Sequence, residues 1–426
     1  MLDLRFIREN PDAVRRAIRA KQLPDALESL EQLLLADEEY RLLRRDLEEK
    51  QALRNASSKH IGELKRKGED AEPLMREMGE VAAEVKRLEE RGRSLEARIG
   101  ECLLEVPNLP HASVPYGESE HDNVVVKEWG TAPSFDFEPR PHWEIAAARG
   151  WLDLEAGVKI TGAGFPLFRG QGARLVRGLE GFFLDRLADA GYTELVVPLM
   201  VNAESATATG QLPDKEGQMY QVQDGYYLIP TSEVAITNLH RDEILDTDAL
   251  PFLYTAYSAC FRREAGSYGK DVRGLNRVHQ FDKVEMVAFT TPEASYDALE
   301  AMTATSEAML EALGLGYRRL LMCTGDMGFT QAKKYDLEAW SPGQRRWLEV
   351  SSISNMEAFQ ATRLHTRMRA GGAAGKGKPG LVHTLNGSAL AFPRTIAAIL
   401  ETYQNEDGSV RVPAALAPYV GRELLS

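Results

Sequence analysis

Residues 27–104 form a long segment that is poor in Gly and Pro and rich in Leu, Glu, Arg and Lys, a composition that favours helix. Apolar residues recur in it at alternating steps of three and four, which keeps one stripe of a helix facing a partner. The first series is Leu33, Ala36, Tyr40, Leu43 and Leu47, and the second is Leu74, Met78, Val81, Val85, Leu88, Gly92, Leu95 and Ile99, with a lapse at Gly92. The pattern predicts two helices that pack along their length.

The two series are separated by residues 67–73, KGEDAEP, which combine a helix stop at Gly68 with a restart at Pro73. The chain should therefore reverse there and form an antiparallel coiled-coil hairpin over about residues 28–103. Helices of this length would extend for roughly 50 to 60 Å. We expect an arm rather than a compact domain.

The predicted arm carries many basic residues interleaved with acidic ones. They include Arg41, Arg44, Arg45, Lys50, Arg54, Lys65, Arg66, Lys67, Arg76, Lys86, Arg87 and Arg91. A solvated coiled-coil face would explain this pattern without any partner. A surface for nucleic acid is the alternative, and the arm alone does not decide between them.

A proline-rich stretch, residues 106–115, ends the helical pattern and predicts a linker. We expect an N-terminal domain over residues 1–108 and a second domain over residues 109–426. In the second domain, β-branched and aromatic runs alternate with helical segments. The predicted strands are residues 192–198, 252–263, 278–289, 346–352 and 381–385. This composition predicts an α+β fold with a largely antiparallel sheet and flanking helices.

The overall composition excludes several classes of protein. The three cysteines, Cys102, Cys260 and Cys323, are far apart, which argues against a disulfide framework or structural zinc and fits a reducing cytoplasm. Charged residues interrupt the N-terminus, and no apolar run is long enough to cross a bilayer, so we expect neither a signal peptide nor a membrane protein. With a formal net charge of -13, any nucleic-acid partner must meet a local basic surface, and we expect no DNA binding.

Charged residues follow two of the predicted strands. Arg262 and Glu264 are two residues apart on the first, so they should share one face. Phe281, Lys283 and Glu285 should likewise share one face of the second. Charges among apolar neighbours are costly to bury without partners or ligands. The pattern indicates a polar site on the sheet, although a salt-bridged surface hairpin would also produce it.

Three segments in this domain resemble the motifs of class II aminoacyl-tRNA synthetases, in the order that those enzymes have them. GYTELVVP at residues 191–198 is similar to motif 1, the segment 261–285 to motif 2, and NGSALAFPR at residues 386–394 to motif 3. The surrounding regions are about residues 185–198, 252–289 and 381–404. TSE at 231–233, EAGS at 264–267, HQF at 279–281 and EVSSISN at 349–355 resemble the seryl-tRNA synthetase branch. The helical hairpin matches that family too, so the likeness covers essentially the whole chain.

The resemblance implies an ATP-dependent ligase that makes seryl-adenylate and then transfers serine to tRNA(Ser), and by the same likeness to tRNA(Sec). It implies that Arg262 holds the α-phosphate, Arg394 the triphosphate tail, and Phe281 and Arg394 the two faces of adenine, with Glu264 at its edge. The implied catalytic residues are Arg262, Arg394 and Glu349. The ATP-binding residues carried over are Arg262, Arg263, Glu264, Phe281, Glu349, Val350, Ser351, Ser352 and Arg394.

The resemblance also implies a serine pocket, a magnesium site and a homodimer. The implied serine-binding residues are Thr231, Ser232, Glu233, Arg262, Glu285 and Ser388, and the Mg²⁺ ligands are Glu349 and Ser352. In class II enzymes motif 1 forms a symmetric subunit interface, so we expect a homodimer. The helical arm would bind the tRNA.

Four positions depart from the usual family pattern: Arg263, Asp282, Ile353 and Thr362. None of them removes an implied ligand of serine or ATP. They leave open whether the chain is the housekeeping enzyme or a paralogue tolerant of a serine-mimicking inhibitor. Two other readings also stay open: a paralogue that activates serine for a carrier protein, and a non-catalytic RNA-binding module.

Overall fold

A computed structural model describes residues 1–264 and 273–426. Within these residues the chain divides into two compact units, Leu2–Pro107 and Asn108–Ser426, and Met1 belongs to the second. The loop predicted between the two charged strands lies largely in residues 265–272, as does most of the EAGS segment, and is therefore outside the described residues. No helix in the described part of the chain has the length and apolar character needed to cross a membrane.

The first unit contains four helices. They are α1 (Leu4–Glu9), α2 (Pro11–Ala20), α3 (Asp25–Lys67) and α4 (Glu72–Leu104). Helix α3 ends at Gly68, whose φ of 74° only glycine adopts readily, and the Glu69 amide donates to the Leu64 carbonyl at 3.0 Å. Helix α4 restarts with Pro73 in its first turn. The stop and the restart therefore lie where the sequence predicts them.

Helices α3 and α4 form an antiparallel coiled-coil arm. The Tyr40 hydroxyl contacts Glu96, and Gln51 donates to Glu89 at 3.3 Å, so residue numbers rise on one helix as they fall on the other. The apolar seam is buried at Leu33, Leu43, Leu47, Val85 and Leu95. At 43 and 33 residues, the two helices are about 65 and 50 Å long. The predicted arm is confirmed.

The second unit is built on an eight-stranded sheet with the strand order β1-β10-β11-β12-β15-β9-β8-β4. Its strands are β1 (Val124–Trp129), β4 (Thr193–Glu194), β8 (Phe252–Phe261), β9 (Gln280–Thr290), β10 (Tyr317–Leu321), β11 (Lys333–Ser341), β12 (Arg346–Asn355) and β15 (His383–Ala391). All neighbours are antiparallel except β4 and β8. This topology confirms the predicted α+β class with a largely antiparallel sheet.

Helices and short strands surround the large sheet. The helices are α5 (His142–Ala148), α6 (Leu154–Ile160), α7 (Gln171–Asp189), α8 (Ala203–Thr209), α9 (Glu233–Thr237), α10 (Ser295–Ala312), α11 (Phe359–Leu364), α12 (Phe392–Thr402) and α13 (Ala417–Val420). The short strands are β2 (Leu152–Asp153), β3 (Leu167–Phe168), β5 (Met200–Val201), β6 (Tyr227–Leu228), β7 (Ile244–Asp246), β13 (Arg367–Arg369), β14 (Gly380–Leu381), β16 (Val410–Arg411) and β17 (Leu424–Leu425). The main apolar core lies between the sheet and α7, α10 and α12.

Two strand predictions need correction. The strand expected over residues 192–198 is reduced to β4, because only Thr193 and Glu194 pair with β8. Strand β8 ends at Phe261, so Arg262 and Glu264 lie beyond it and do not share a strand face. Glu264 has a φ of 47°, which belongs to a turn and not to extended backbone. Composition could not reveal where strand pairing stops.

Candidate active site

A cavity of about 450 Å³ lies over the central strands of the second unit. Strands β9, β12 and β15 contribute to its wall, together with the residues that follow β8 and the first turn of α12. The predicted site residues in the wall are Thr231, Glu233, Arg262, Glu264, Phe281, Glu285, Glu349, Val350, Ser351, Ser352, Ser388 and Arg394. Segments that are far apart in the chain therefore meet at one concave site.

One end of the cavity is a buried cluster of charged side chains. Lys283 forms an ion pair with Glu285, and its Nζ donates to Thr231 Oγ1 at 3.0 Å. Ser388 Oγ donates to Glu285 Oε2 at 3.2 Å. Lys283 and Glu285 are 5% and 2% exposed, so both charges are largely withdrawn from water. The ion pair confirms that Lys283 and Glu285 share a face of β9.

Glu233 adds a second carboxylate to this end of the cavity. It is 7% exposed, and Gln360 Nε2 donates to its Oε1 at 2.7 Å. Burial, and then the neighbouring negative charge of Glu285, raise the pKa of Glu233 to about 7. The described charged groups at this end are therefore two carboxylates and one ammonium, an arrangement suited to a second cation.

The other end of the cavity is lined by cationic side chains. The Arg262 guanidinium lies 5.1 Å from the centroid of the Phe281 ring, and its Nε donates to the Pro230 carbonyl at 3.4 Å. Arg394 Nε donates to the Asn276 carbonyl at 3.0 Å, and its Nη1 donates to the Glu349 carbonyl at 2.8 Å. These backbone contacts hold two planar cations at fixed places in the wall, where they could bind anionic oxygens.

Glu349 is one of the acidic side chains at the cationic end. Its Oε2 lies 3.6 Å from Arg394 Nη1. Partial removal from water would raise its pKa, but the positive charges of Arg394 and Lys334 outweigh that effect and hold the pKa below its ordinary value. The carboxylate is therefore ionised at neutral pH.

A β-bulge at Val350 determines how β12 presents its polar residues. Glu349 pairs with Glu338 and Ser351 with Leu337, so Val350 is an extra residue without a partner on β11. In a regular strand, residues three apart point to opposite faces. The extra residue reverses this relation, so Glu349 and Ser352 share a face. Two oxygen donors thus lie on one side of β12.

Two of the residues carried over from the family lie outside the cavity wall. Ser232 is fully buried, and its hydroxyl donates to the Ala256 carbonyl at 3.3 Å. The Arg263 amide donates to the Gln218 carbonyl at 2.9 Å, and its side chain does not line the cavity. Both are chain neighbours of wall residues, but neither side chain is part of the cavity wall.

Sequence reasoning did not select several residues of or behind the wall, among them Asn276, Lys334, Gln360 and Asn386. Lys334 alternates with Asp336 on β11, and the two form an ion pair at 3.0 Å. Opposite charges two residues apart among apolar neighbours are a usable signal, although no strand is predicted over residues 333–341. Asn276 and Gln360 offered no comparable pattern, because their partners lie far away in the sequence.

Comparison with known proteins gives a consistent result over the whole chain. Residues 1–110 match the seryl-tRNA synthetase N-terminal domain, and residues 219–403 match the tRNA synthetase class II core domain (G, H, P, S and T). The chain is 54% identical to the serine–tRNA ligase of Salinibacter ruber, covering 99% of this chain and 98% of that protein. It is 51% identical to the serine–tRNA ligase of Bacillus subtilis, with both proteins covered completely.

A solved structure agrees with these sequence matches. The crystal structure of seryl-tRNA synthetase from Pyrococcus horikoshii, complexed with ATP, superposes with a TM-score of 0.94 at 36% identity. The match covers 100% of this chain and 99% of that one. The likeness therefore extends to the helical arm as well as to the sheet and its cavity.

Proposed function

This chain belongs to the seryl-tRNA synthetase family, and from that premise we infer that it is an ATP-dependent serine–tRNA ligase. The carboxylate of L-serine attacks the α-phosphorus of ATP, which forms seryl-adenylate and releases pyrophosphate. A terminal ribose hydroxyl of the tRNA then attacks the seryl carbonyl, and AMP leaves. No protein nucleophile is needed. Catalysis consists of positioning the reactants and stabilising charge.

The observation that carries this proposal is the buried cluster of Glu233, Glu285 and Lys283. Two carboxylates and one ammonium leave one negative charge without a counter-ion among the described residues of the cluster. The ammonium group of serine would supply the missing positive charge. We place the serine hydroxyl near Thr231 and Ser388, whose own hydroxyl groups line the cavity.

This assignment also explains selectivity against alanine. A pocket that pairs polar groups with a substrate hydroxyl is left with unsatisfied groups when the hydroxyl is missing. Alanine therefore binds more weakly than serine even though it fits the pocket without a steric clash. Discrimination therefore needs no separate editing reaction.

ATP would occupy the cationic end of the cavity. We propose that Arg262 contacts the α-phosphate beside the serine carboxylate, and that Arg394 contacts the triphosphate tail. Adenine would pack on Phe281, with Glu264 at its edge. Because Arg262 already lies over the Phe281 ring, the base would take the free area of that ring beside it. Guanidinium groups stabilise the charge that develops on the transferred phosphoryl group.

The residues present fit a magnesium ion shared with the phosphates. The bulge at Val350 brings the Glu349 carboxylate and Ser352 to one face of β12. Mg²⁺ prefers oxygen donors, and it is often bound by one or two protein groups together with substrate phosphates and water. When bound, it would neutralise phosphate charge. Within the described residues no group of three or more acidic, His or Cys side chains is arranged to hold a metal ion, so a fully protein-built cage is not proposed.

The helical arm is proposed to bind tRNA(Ser), and tRNA(Sec) on the same grounds. Several of its basic residues, including Arg45, Arg54, Lys65 and Lys67, form no ion pair with any described residue. Lys65, Arg66 and Lys67 together form the last turn of α3. Such groups can contact a phosphate backbone without reading bases.

We propose that the chain forms a homodimer through motif 1. Strand β4 lies at the edge of the sheet, and several apolar side chains that follow it are open to solvent. Val196 is 97% exposed, and Met200 is 53% exposed. A partner would cover them. Val196→Glu should therefore shift the protein to a monomer in sedimentation, whereas a wild-type chain that sediments as a monomer would refute the proposal.

The compartment proposed is the cytoplasm. Cys102, Cys260 and Cys323 are all free thiols in the structure, and all are buried. Free cysteines are usual in a reducing compartment.

Pyrophosphate exchange followed by tRNA charging tests the whole proposal. Exchange should depend on serine and should be far weaker with threonine, alanine or cysteine. Purified tRNA(Ser) should then be charged. Serine-dependent exchange without charging would favour activation for a carrier protein. Absence of both reactions in folded protein would favour a non-catalytic RNA-binding module.

A further inference from the structure

A buried hydrogen-bond cluster lies beside the cavity but outside its wall, centred on Glu401 of α12. Glu401 is fully buried, and its Oε1 accepts from the His142 amide at 2.9 Å, His142 Nδ1 at 2.8 Å and Gln344 Nε2 at 3.1 Å. Its Oε2 accepts from the Gly343 amide at 3.0 Å and from the Ser341 hydroxyl. Five donors surround one carboxylate. Because its carboxylate accepts all five hydrogen bonds, Glu401 fixes the positions of the groups that donate them.

The tautomer of His142 follows from its two partners. The Leu275 amide donates to His142 Nε2 at 2.9 Å. Because a backbone N–H can only donate, Nε2 must accept, and the ring proton must be on Nδ1, where it is donated to Glu401. The His142 ring is therefore hydrogen-bonded to Glu401 on one side and to the Leu275 amide on the other, and it links the positions of the two. Gly274 allows this approach, since a Cβ there would lie 2.4 Å from His142 Nε2.

A second path of hydrogen bonds connects Glu401 to Asn276, the residue after Leu275, through Gln344. Gln344 donates to Glu401, and its Oε1 accepts from Asn276 Nδ2 at 2.9 Å. Leu275 and Asn276 are therefore each held by a separate hydrogen-bonded path from the same carboxylate.

Both hydrogen-bonded paths begin at Glu401 on α12 and lead to two adjacent residues, one of which contacts Arg394 on the same helix. The Asn276 carbonyl accepts from Arg394 Nε at 3.0 Å, and Arg394 and Glu401 are both on α12. The two residues are seven apart, about two helical turns, so both side chains leave the same side of the helix. The result is a closed ring of contacts from Arg394 through Asn276, Leu275 and His142 to Glu401.

We infer that His142 and Glu401 are positioning residues for ATP: they hold the backbone of residues 274–276 so that the Asn276 carbonyl fixes the Arg394 guanidinium at the triphosphate. This inference rests on the proposed role of Arg394. Neither residue touches the serine end of the cavity. Loss of the ring should therefore weaken the use of ATP and leave the use of serine intact.

The test is pyrophosphate exchange with separate titrations of ATP and serine. Glu401→Gln keeps the shape of the side chain but turns an N–H₂ group toward one set of donors. We expect its KM for ATP to rise by about tenfold or more, with the KM for serine within about twofold. His142→Ala should do the same. Gln344→Ala cuts one branch only and should give a smaller rise, which provides a milder variant if the others fold poorly.

A double-mutant cycle separates positioning from general stability. If Glu401 acts through Arg394, adding Glu401→Gln to Arg394→Ala should change the KM for ATP by less than about twofold further. His383→Ala, which removes a histidine elsewhere in the same unit that is hydrogen-bonded to Ser295 Oγ at 2.9 Å, is the matched control and should produce no ATP-selective change.

Three outcomes would overturn the inference. Equal rises in both KM values, or a lower melting temperature alone, would make the cluster purely structural. If the two substitutions raise the KM for ATP independently, so that their fold-changes multiply in the double variant, Glu401 does not act through Arg394. If Arg394→Ala itself leaves the KM for ATP unchanged, the proposed function of Arg394 fails, and the inference fails with it.

Discussion

At the scale of single residues, Arg262 is the side chain on which adenylation should depend most. It is a cation in the cavity wall, lies over Phe281 and is held by the Pro230 carbonyl. We predict that Arg262→Ala lowers serine-dependent pyrophosphate exchange by about 10²- to 10³-fold, because a preorganised charge at the α-phosphate is lost. Arg263→Ala is the matched control and should keep most of the activity. Exchange within about threefold of wild type in Arg262→Ala would remove this residue from the mechanism.

Glu233 should make serine binding depend on pH. Burial and the charge of Glu285 raise its pKa to about 7 in the free protein, whereas the serine ammonium would favour the ionised form. Binding therefore releases a proton below pH 7, so affinity for serine should rise with pH and level off above the raised pKa. Between pH 6 and pH 8 we expect about a tenfold gain. Calorimetric titration of wild type and Glu233→Gln measures it, and a variant that kept the full pH dependence would contradict the assignment.

The same raised pKa has a consequence for stability. Between the ordinary pKa of a carboxyl group and about 7, the folded protein holds a proton on Glu233 that the unfolded chain has released. The contribution of Glu233 to the free energy of unfolding is therefore fully present at low pH and is lost as pH rises through this range. Serine, by supplying a cation, should offset part of the loss.

At the scale of elements, the bulge in β12 shows how one residue changes what a strand presents. Without the extra Val350, Glu349 and Ser352 would point to opposite faces. Sequence periodicity alone therefore predicts that they cannot share an ion. The family resemblance pairs them, and the bulge supplies the physical reason.

The helical arm permits a test with two glycines. Gly92 lies in the seam of α4, where an added Cβ would meet Leu43 at 3.5 Å, an ordinary contact. Gly92→Ala should therefore stabilise the first unit by about 0.5 to 1 kcal/mol through helix propensity. Gly68→Ala should destabilise it by about 1 to 2 kcal/mol, since φ is 74° there. Thermal unfolding of the full chain measures both shifts, and equal signs would show that the seam or the turn has been misread.

At the scale of the whole molecule, the arm and the cavity should separate two activities. Replacing residues 56–84 with a four-residue Gly/Ser turn removes the distal arm and keeps the seam around Leu33, Leu43 and Leu95. We predict that pyrophosphate exchange stays near wild type while charging of tRNA(Ser) is lost, because the deleted part carries Lys65, Arg66 and Lys67. Aminoacylation and exchange on the same preparation check this.

A milder variant controls for damage from the deletion. Reversing the charge of Lys65 and Lys67 shortens neither helix. It should weaken charging at low salt and make the remaining charging depend less steeply on salt, because fewer cations contact phosphate. A truncated protein that still charges tRNA would favour the alternative explanation, in which the arm is a coiled coil with a solvated face and no nucleic-acid partner. Loss of both reactions together would have the same effect.

The sequence by itself determined the features that depend on neighbouring residues. The two helices, their reversal at Gly68 and Pro73 and the polar face of β9 all follow from short-range periodicity and turn chemistry, whereas the three motifs were identified by family resemblance. Only the tertiary structure decided the rest, because hydrogen bonds join residues without regard to their distance along the chain. Gln360 orients Glu233 across 127 positions, and His142 meets Glu401 across 259. Strand pairing likewise decides where β8 stops and where β12 bulges.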